Sequence, residues 1–326
     1  MNGLSARVAF LVSRWELPGR RYWFERAGVL DNARWATRGH AECRGRWHGY
    51  RLRLNLADYH QRGAYFLGRL FDLPVQVALL RAMRTGDEYL DIGANIGMTV
   101  LIGAHAVGSR GRVTAIEPNP SVCTELRSHV ESNGLSWVRI IEAGFGDREA
   151  TLTLSVPPTG NTGAGTFGVL PPRHKGKTSA TYTVPVVVGD AHIKPEGPPL
   201  TIKIDVEGFE TAAFRGLTRA ITARKPAIVA EVNPQTLTAC GSSAAEFLGM
   251  LCGWGYEVFI PGAEARAMRR GERFWLTPVD AAWAPKDRLV NIVAIVPGTE
   301  HWKRLERSIR REACLADSPH SGDHKG

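Results

Sequence analysis

The architecture of this chain is read from Tyr89-Leu90-Asp91-Ile92-Gly93-Ala94-Asn95-Ile96-Gly97. A short apolar strand over Glu88–Ile92 runs into a tight glycine turn, and an apolar helix follows over residues 96–106. Gly93 and Gly97 allow the backbone to approach a ligand closely, and the N-terminus of the helix offers free amides. Outward from this corner, strands and helices alternate. Arg112–Ile116, residues 138–142, 201–206, Ala227–Val232, 255–260 and 290–296 read as strands. Pro120–Ser132, 210–222 and 244–251 have helical spacing, with Pro120 at a first-turn position. Residues 151–156 alternate as a more exposed strand does, and 183–188 could form another. This alternation predicts an α/β fold with a mostly parallel sheet and helices on both faces.

The second strand closes on Ile116-Glu117-Pro118-Asn119, one strand after the Gly93 turn. An acid at that point suits the two hydroxyls of a ribose, so the pair of motifs predicts a nucleoside-cofactor site at the carboxyl ends of parallel strands. The dinucleotide fingerprint G-x-G-x-x-G is absent. The turn reads Gly93-x-Asn95-x-Gly97 behind Asp91. An acid beside the turn repels a pyrophosphate and suits a cation. S-adenosylmethionine carries a sulfonium and an ammonium and no phosphate, so electrostatics favours it over a nicotinamide dinucleotide. Asp91 is expected to hold the methionine ammonium through amides or water, Asn95 to line the same pocket, and Glu117 to accept from the ribose.

Three segments together resemble the FkbM family of S-adenosylmethionine-dependent methyltransferases. They are residues 90–97, residues 116–118, and Ile202-Lys203-Ile204-Asp205-Val206-Glu207-Gly208-Phe209-Glu210, the most specific of the three. The strand ending in Glu231-Val232-Asn233 is similar to the family pattern as well. The resemblance spans residues 85–297, about two-thirds of the chain. It implies a Rossmann-like class I methyltransferase fold with a seven-stranded sheet. It also implies O-methylation of a hydroxyl on a sugar, a glycan or a polyketide-type natural product. Where the family has Leu-Gly-Asp after the third strand, this chain reads Gly144-Phe145-Gly146-Asp147. Asp147 is the expected contact for the adenine amino group, and Phe145 departs from the pattern.

Methyl transfer from a sulfonium is an in-line displacement in which the enzyme aligns and desolvates the reactants. A neutral hydroxyl still has to lose its proton, to a base or with the help of a metal. In an extended strand, residues 203, 205 and 207 share a face. Asp205 is therefore expected as the base or substrate-orienting acid, with Lys203 and Glu207 shaping its charge. Mg²⁺ on Asp205, Glu207 and Glu231 is a second option, since carboxylate oxygens suit that ion. Tyr59, His60 and Tyr65, just ahead of a helix over 73–83, are further pocket candidates. Two other functions stand beside methyl transfer. A nicotinamide-dependent oxidoreductase lacks its fingerprint, and a non-catalytic scaffold on the same fold would not need the intact acids.

The chain has 326 residues, 41 basic and 32 acidic, for a net charge of +9. The charge is uneven. Residues 1–53 hold eleven Arg, no Lys and four acids, together with Trp15, Trp23, Trp35 and Trp47. A division follows: an Arg/Trp-rich helical or irregular arm over 1–60, a methyltransferase domain over 61–297, and a C-terminal helix with a disordered tail over 298–326. Within the domain, residues 157–199 hold eight Pro and seven Gly and read as an insertion. The arm and the insertion are the expected source of the acceptor pocket. The arm's Arg are spaced among Trp, Leu and Glu, as in a folded cap with salt bridges. Peripheral contact with an anionic membrane through residues 4–15 is a weaker alternative, and nucleic acid is disfavoured because no basic–aromatic run occurs in the body. No apolar run reaches the roughly 20 residues of a membrane-spanning helix. The lack of a signal core and the sparse, unpaired Cys43, Cys123, Cys240, Cys252 and Cys314 point to a reducing cytoplasm. The expected partner is a small-molecule or glycan acceptor, and oligomeric state is not readable.

Overall fold

A computed structural model describes residues 3–157, 163–169, 180–265, 272–280 and 282–310. Parts of the 157–199 insertion and the tail expected to be disordered lie outside the described residues. At the centre are five parallel strands, β3 (Glu88–Ile92), β4 (Arg112–Ile116), β5 (Val138–Ile141), β9 (Leu200–Ile204) and β10 (Ala227–Val232). Every residue of β9 is buried, as a central parallel strand covered on both faces requires. β13 (Val290–Ile295) joins β10 antiparallel, and β11 (Glu257–Ala265) joins β13. β12 (Glu272–Pro278) pairs with β11 at the edge, so the order is β12-β11-β13-β10-β9-β3-β4-β5. The sheet therefore has eight strands, one more than the seven expected. The extra strand is β12, the edge partner of β11.

The chain moves outward from β3 through α6 (Met98–Val107) to β4, and through α7 (Pro120–Ser132) to β5. It then crosses back to place β9 on the other side of β3. Between these passes lies a three-stranded side sheet, β6 (Gly144–Gly146), β8 (Ala180–Val188) and β7 (Ala150–Val156), in that spatial order. The expected helix over 210–222 is two helices, α8 (Glu210–Arg215) and α9 (Thr218–Arg224). Gly216 sits at the break, where a Cβ would collide with the carbonyl oxygen of Gly146 in β6. Close packing of helix on side sheet thus divides what helical spacing reads as one element.

Ahead of the sheet, the arm folds into α1 (Leu4–Arg14), α2 (Arg20–Arg26), α3 (Asn32–Trp35) and the hairpin β1 (His40–Arg44) and β2 (Arg51–Asn55). The hairpin is an element that sequence spacing does not predict. Phe24, Trp35, Leu52 and Leu54 share one apolar cluster with Leu79, Val100 and Val229 of the sheet region. A second cluster, around Leu90, Ile202, Phe214 and Phe247, covers the other face. Alternation along the strands sends Leu90 and Ile202 to that second face and leaves Asp91 and Lys203 on the first.

Candidate functional site

The strand order reverses between β3 and β9, where each strand leads to a crossover on the opposite side, and open α/β sheets bind ligands at such a point. A cavity of about 1300 Å³ lies there, at the carboxyl ends of the parallel strands. Pockets for one small ligand run to about 300–1,000 Å³, so this one has room for a cofactor and an acceptor. The sheet order gives it two ends. Gly93, Asn95, Glu117 and Phe145 line the β3–β4 end, and Glu231, Asn291 and Trp275 line the β10–β12 end, with Lys203 of β9 and Asp205 just past its end between them.

At the first end the glycine turn is fixed by hydrogen bonds from the amides of Gly93 and Ala94 to the carbonyl of Ile116, 2.9 and 3.0 Å. Gly93 has φ +83°, and a Cβ there would strike the carbonyl of Asp205. Only glycine lets this turn pass the end of β9. Gly97, φ +90°, opens α6, but a Cβ on it would meet Leu126, and it does not line the cavity. Its role is packing. Asn95 lines the cavity in a left-handed conformation, with its side-chain oxygen accepting from the amide of Ile96 at 2.7 Å. The Asn95 amide donates to Glu117 Oε2 at 2.8 Å, and the Asn119 amide donates to Oε1 at 2.9 Å. Two turns thus hold one carboxylate at the cavity wall, and each oxygen keeps a second lone pair. Burial pushes the Glu117 carboxyl up to about 7, against the pull of those two amides.

Asp91 is fully buried and is not part of the cavity lining. Its Oδ2 accepts from the Tyr89 hydroxyl at 3.1 Å, while Oδ1, without a hydrogen bond among the described residues, faces the Lys203 ammonium at 3.7 Å. The pair is a matter of register, because Asp91 and Lys203 are direct partners across β3 and β9. Asp91, expected to hold a ligand ammonium, thus faces Lys203 behind the cavity wall. Burial works to lower the Lys203 ammonium, but Asp205 and Asp91 outweigh it and hold it raised and charged.

Asp205 lies one residue beyond β9, and its amide still bonds to Ile92 O at 3.0 Å, which extends the ladder. Its side chain is 37% exposed, opens to the cavity and meets Lys203 Nζ at 3.3 Å. Lys203 and Asp205 do share a face. Glu207 does not continue it. Its φ is +49°, so strand alternation stops, and Glu207 reaches the cavity lining from a turn. The turn is anchored by Thr166 Oγ1 of the insertion, which donates to Glu207 O at 2.9 Å. Phe167, next along the insertion, packs on Phe209 with ring centres 5.0 Å apart. Glu231 lines the cavity with its carboxyl raised well above the usual range, by burial first and then by the negative charges of Asp205 and Glu207. Among the described residues no group of three His, Cys, Asp or Glu is arranged to hold a metal ion. The Mg²⁺ option on Asp205, Glu207 and Glu231 thus finds no cluster.

Asp147 is exposed, pairs with Arg148 at 3.7 Å and does not line the cavity. Gly144 and Phe145 line the cavity instead, and the Phe145 ring, buried in the core, stacks on His192 with ring centres 6.0 Å apart. Of the other candidates, His60 lines the cavity, whereas Tyr59 stacks on Phe71 at 5.3 Å and Tyr65 is buried in the core. Burial lowers the His60 pKa against the opposing charges of Asp58 and Asp205, which favours the neutral imidazole. Of the arm, Asp58 and His60 at its C-terminal end are the described residues that line the cavity, and the insertion contributes Gly163, Gly165 and Phe167. Residues that sequence reasoning missed are Asp72, just ahead of α5 (Leu73–Ala82), Trp275 and Asn291 on β12 and β13, and Trp283, Arg288 and Arg310 in the segments between and after those strands. They form no local motif, and nothing in their spacing marks them.

The donor set fits S-adenosylmethionine. Glu117 offers two acceptors for a ribose, and Ile116 and Phe145 flank it with apolar surface. The lysine of the lining, Lys203, is committed to two carboxylates rather than free for a phosphate. Residues 91–258 match the methyltransferase FkbM domain. The hexuronic acid methyltransferase AglP of Haloferax volcanii is 29% identical over 171 residues, and the match covers 51% of this chain and 66% of AglP, just under two-thirds of its length. Among solved structures, methyltransferase FkbM from Methylobacillus flagellatus is 18% identical, with 65% of this chain and 44% of that chain covered at a TM-score of 0.36. An S-adenosylmethionine-dependent O-methyltransferase from Thermotoga maritima is 15% identical, with 69% and 64% covered at a TM-score of 0.33. The strand order, and not these structural likenesses, carries the fold. With the domain match extending over half of its length, the chain belongs to the FkbM methyltransferase family.

Proposed function

We propose that this protein is an S-adenosylmethionine-dependent O-methyltransferase acting on a sugar hydroxyl. One observation carries the reading: a single cavity holds the ribose-suited Glu117 at one end and, across Asp205, an acceptor-sized space at the other. Family membership and the similarity to a hexuronic acid methyltransferase support it. Bound S-adenosylmethionine supplies a methyl group already activated on a sulfonium. The protein's part is then alignment, exclusion of water and removal of one proton. Glu117 fixes the ribose. Lys203 is a permanent cation that holds the Asp205 carboxylate in place. Asp205 accepts a hydrogen bond from the acceptor hydroxyl and orients it. His60, neutral near pH 7, is the second group able to take the proton. Phe167 and Phe209 screen the site from water on the insertion side.

Calorimetry with the purified protein tests the cofactor half of this reading. S-adenosylmethionine should bind with a dissociation constant in the micromolar range, about 8 kcal/mol. Glu117→Ala should weaken it by at least tenfold, roughly the loss of one charge-assisted hydrogen bond. No binding by the wild-type protein would sink the proposal, and a thermal shift with NAD but not with S-adenosylmethionine would favour the oxidoreductase.

A further inference from the structure

The β10–β12 end of the cavity carries charge and aromatic surface that lie outside the family match, since Trp275, Trp283, Arg288 and Arg310 all follow residue 258. Trp275 sits directly across from Gly262 in the β11–β12 ladder. A Cβ on Gly262 would run into the indole, so the glycine leaves the space that the Trp275 ring occupies over β11. The Arg310 guanidinium lies 4.3 Å from the centre of that indole, and the Arg310 amide donates to Leu276 O at 2.8 Å. Backbone and ring together position this side chain at the rim. Arg288 lines the same end, just before β13. Neither Arg288 nor Arg310 forms an ion pair with a carboxylate among the described residues, whereas Lys203, the other strong cation of the lining, is held between two.

A guanidinium resting on an aromatic ring uses its face and leaves its N–H edges available for a planar carboxylate. Indole faces also suit the C–H face of a sugar ring, whose hydrogens meet the negative side of the ring quadrupole. The deeper lining is acidic, with Asp205, Glu207 and Glu231. A singly charged carboxylate at the rim is compatible with those acids, and a nearly doubly charged phosphomonoester is less so. We propose that Arg288 and Arg310 form a carboxylate subsite beside the Trp275 platform, so that the acceptor is an acidic sugar of the uronic acid class. The proposal deepens the methyl-transfer reading and rests on it.

The test is titration of the S-adenosylhomocysteine-loaded protein with three probe sets: free hexuronates, the matching neutral hexoses, and their 6-phosphates. Hexuronates should bind about tenfold tighter than hexoses, the scale of a charged hydrogen-bonded contact. Arg288→Gln and Arg310→Gln should each remove most of that preference. Both variants should keep the wild-type affinity for S-adenosylmethionine and the wild-type melting temperature, which separates a subsite from a folding defect. Equal binding of hexuronates and hexoses, tighter binding of the phosphates, no binding of any probe, or an intact preference in the double variant would overturn the subsite. Failure of the wild-type protein to bind S-adenosylmethionine would overturn the underlying reading instead.

Discussion

Glu117 shows how a single side chain sets the pH response of the site. Its carboxyl is pushed up to about 7 by burial, and the proposed ribose contact needs the ionised form, with acceptors on both oxygens. Affinity for S-adenosylmethionine should therefore fall as pH drops below about 7, approaching tenfold per pH unit well below that point. Calorimetry from mildly acidic to mildly alkaline pH reads this directly, and Glu117→Gln should bind weakly with a flat profile. Unchanged wild-type affinity at acidic pH would mean that Glu117 does not meet the ribose as an anion. Stability is a poorer reporter. The raised carboxyls of Glu117 and Glu210, both about 7, favour the folded chain fully below about 4.5 and lose that contribution as pH rises through 7. Buried His48 and His301, lowered to about 4, act with the opposite sign, since their contribution is full above pH 6.5 and is lost as pH falls through 4. The two effects overlap and oppose each other.

Among the elements, the junction of α8, α9 and β6 links folding to the shape of the site. Gly216 lets the helix break press against the carbonyl of Gly146, and β6 carries Gly144 and Phe145 into the cavity wall. Gly216→Ala should cost roughly 1–3 kcal/mol through overpacking, seen as a lower urea midpoint. Because the strain falls on β6, the same variant should also bind S-adenosylmethionine more weakly. A stable variant with normal binding would show that the helix can shift without moving the wall. The helical spacing over 210–222 is legible in the sequence, but this contact is not, because it depends on a strand distant in the chain.

Across the molecule, the basic excess of residues 1–53 is only partly a surface property. Glu16, buried with φ +51°, accepts from Arg46 Nη1 and Arg69 Nη2, both at 2.8 Å, and pairs with Arg20. Arg46 continues to Glu272 of β12 at 3.3 Å. Arg14 donates to the carbonyl of Tyr65 at 3.0 Å and to that of Arg44. The Glu16 network joins the arm to the edge of the sheet. Glu16→Gln would leave three guanidiniums without their shared anion, and a buried pair broken in this way costs roughly 3–5 kcal/mol. Removing the exposed Arg21–Glu25 pair by Arg21→Ala should change stability by less than about 1 kcal/mol. Urea unfolding of the two variants side by side decides it, and equal effects would mean that the buried network is not what holds the arm.

The alternating strands and helices, the glycine turn at Gly93, the acid at Glu117 and the character of the cofactor end are all legible before folding is considered. Each depends on local period, on backbone conformation or on residues contiguous in the chain. Which charges meet is settled only by tertiary contact. Asp91 reaches Lys203 because β3 and β9 pair in that register, although the two strands are far apart in the chain. Glu207 leaves the strand face because its turn adopts a left-handed conformation. The β10–β12 end is hidden from sequence reading for the same reason: Trp275, Arg288 and Arg310 come to line one cavity only when antiparallel strands fold back beside β10. Side-chain period sets which face of an element a residue occupies, while strand register and crossover set what stands opposite it.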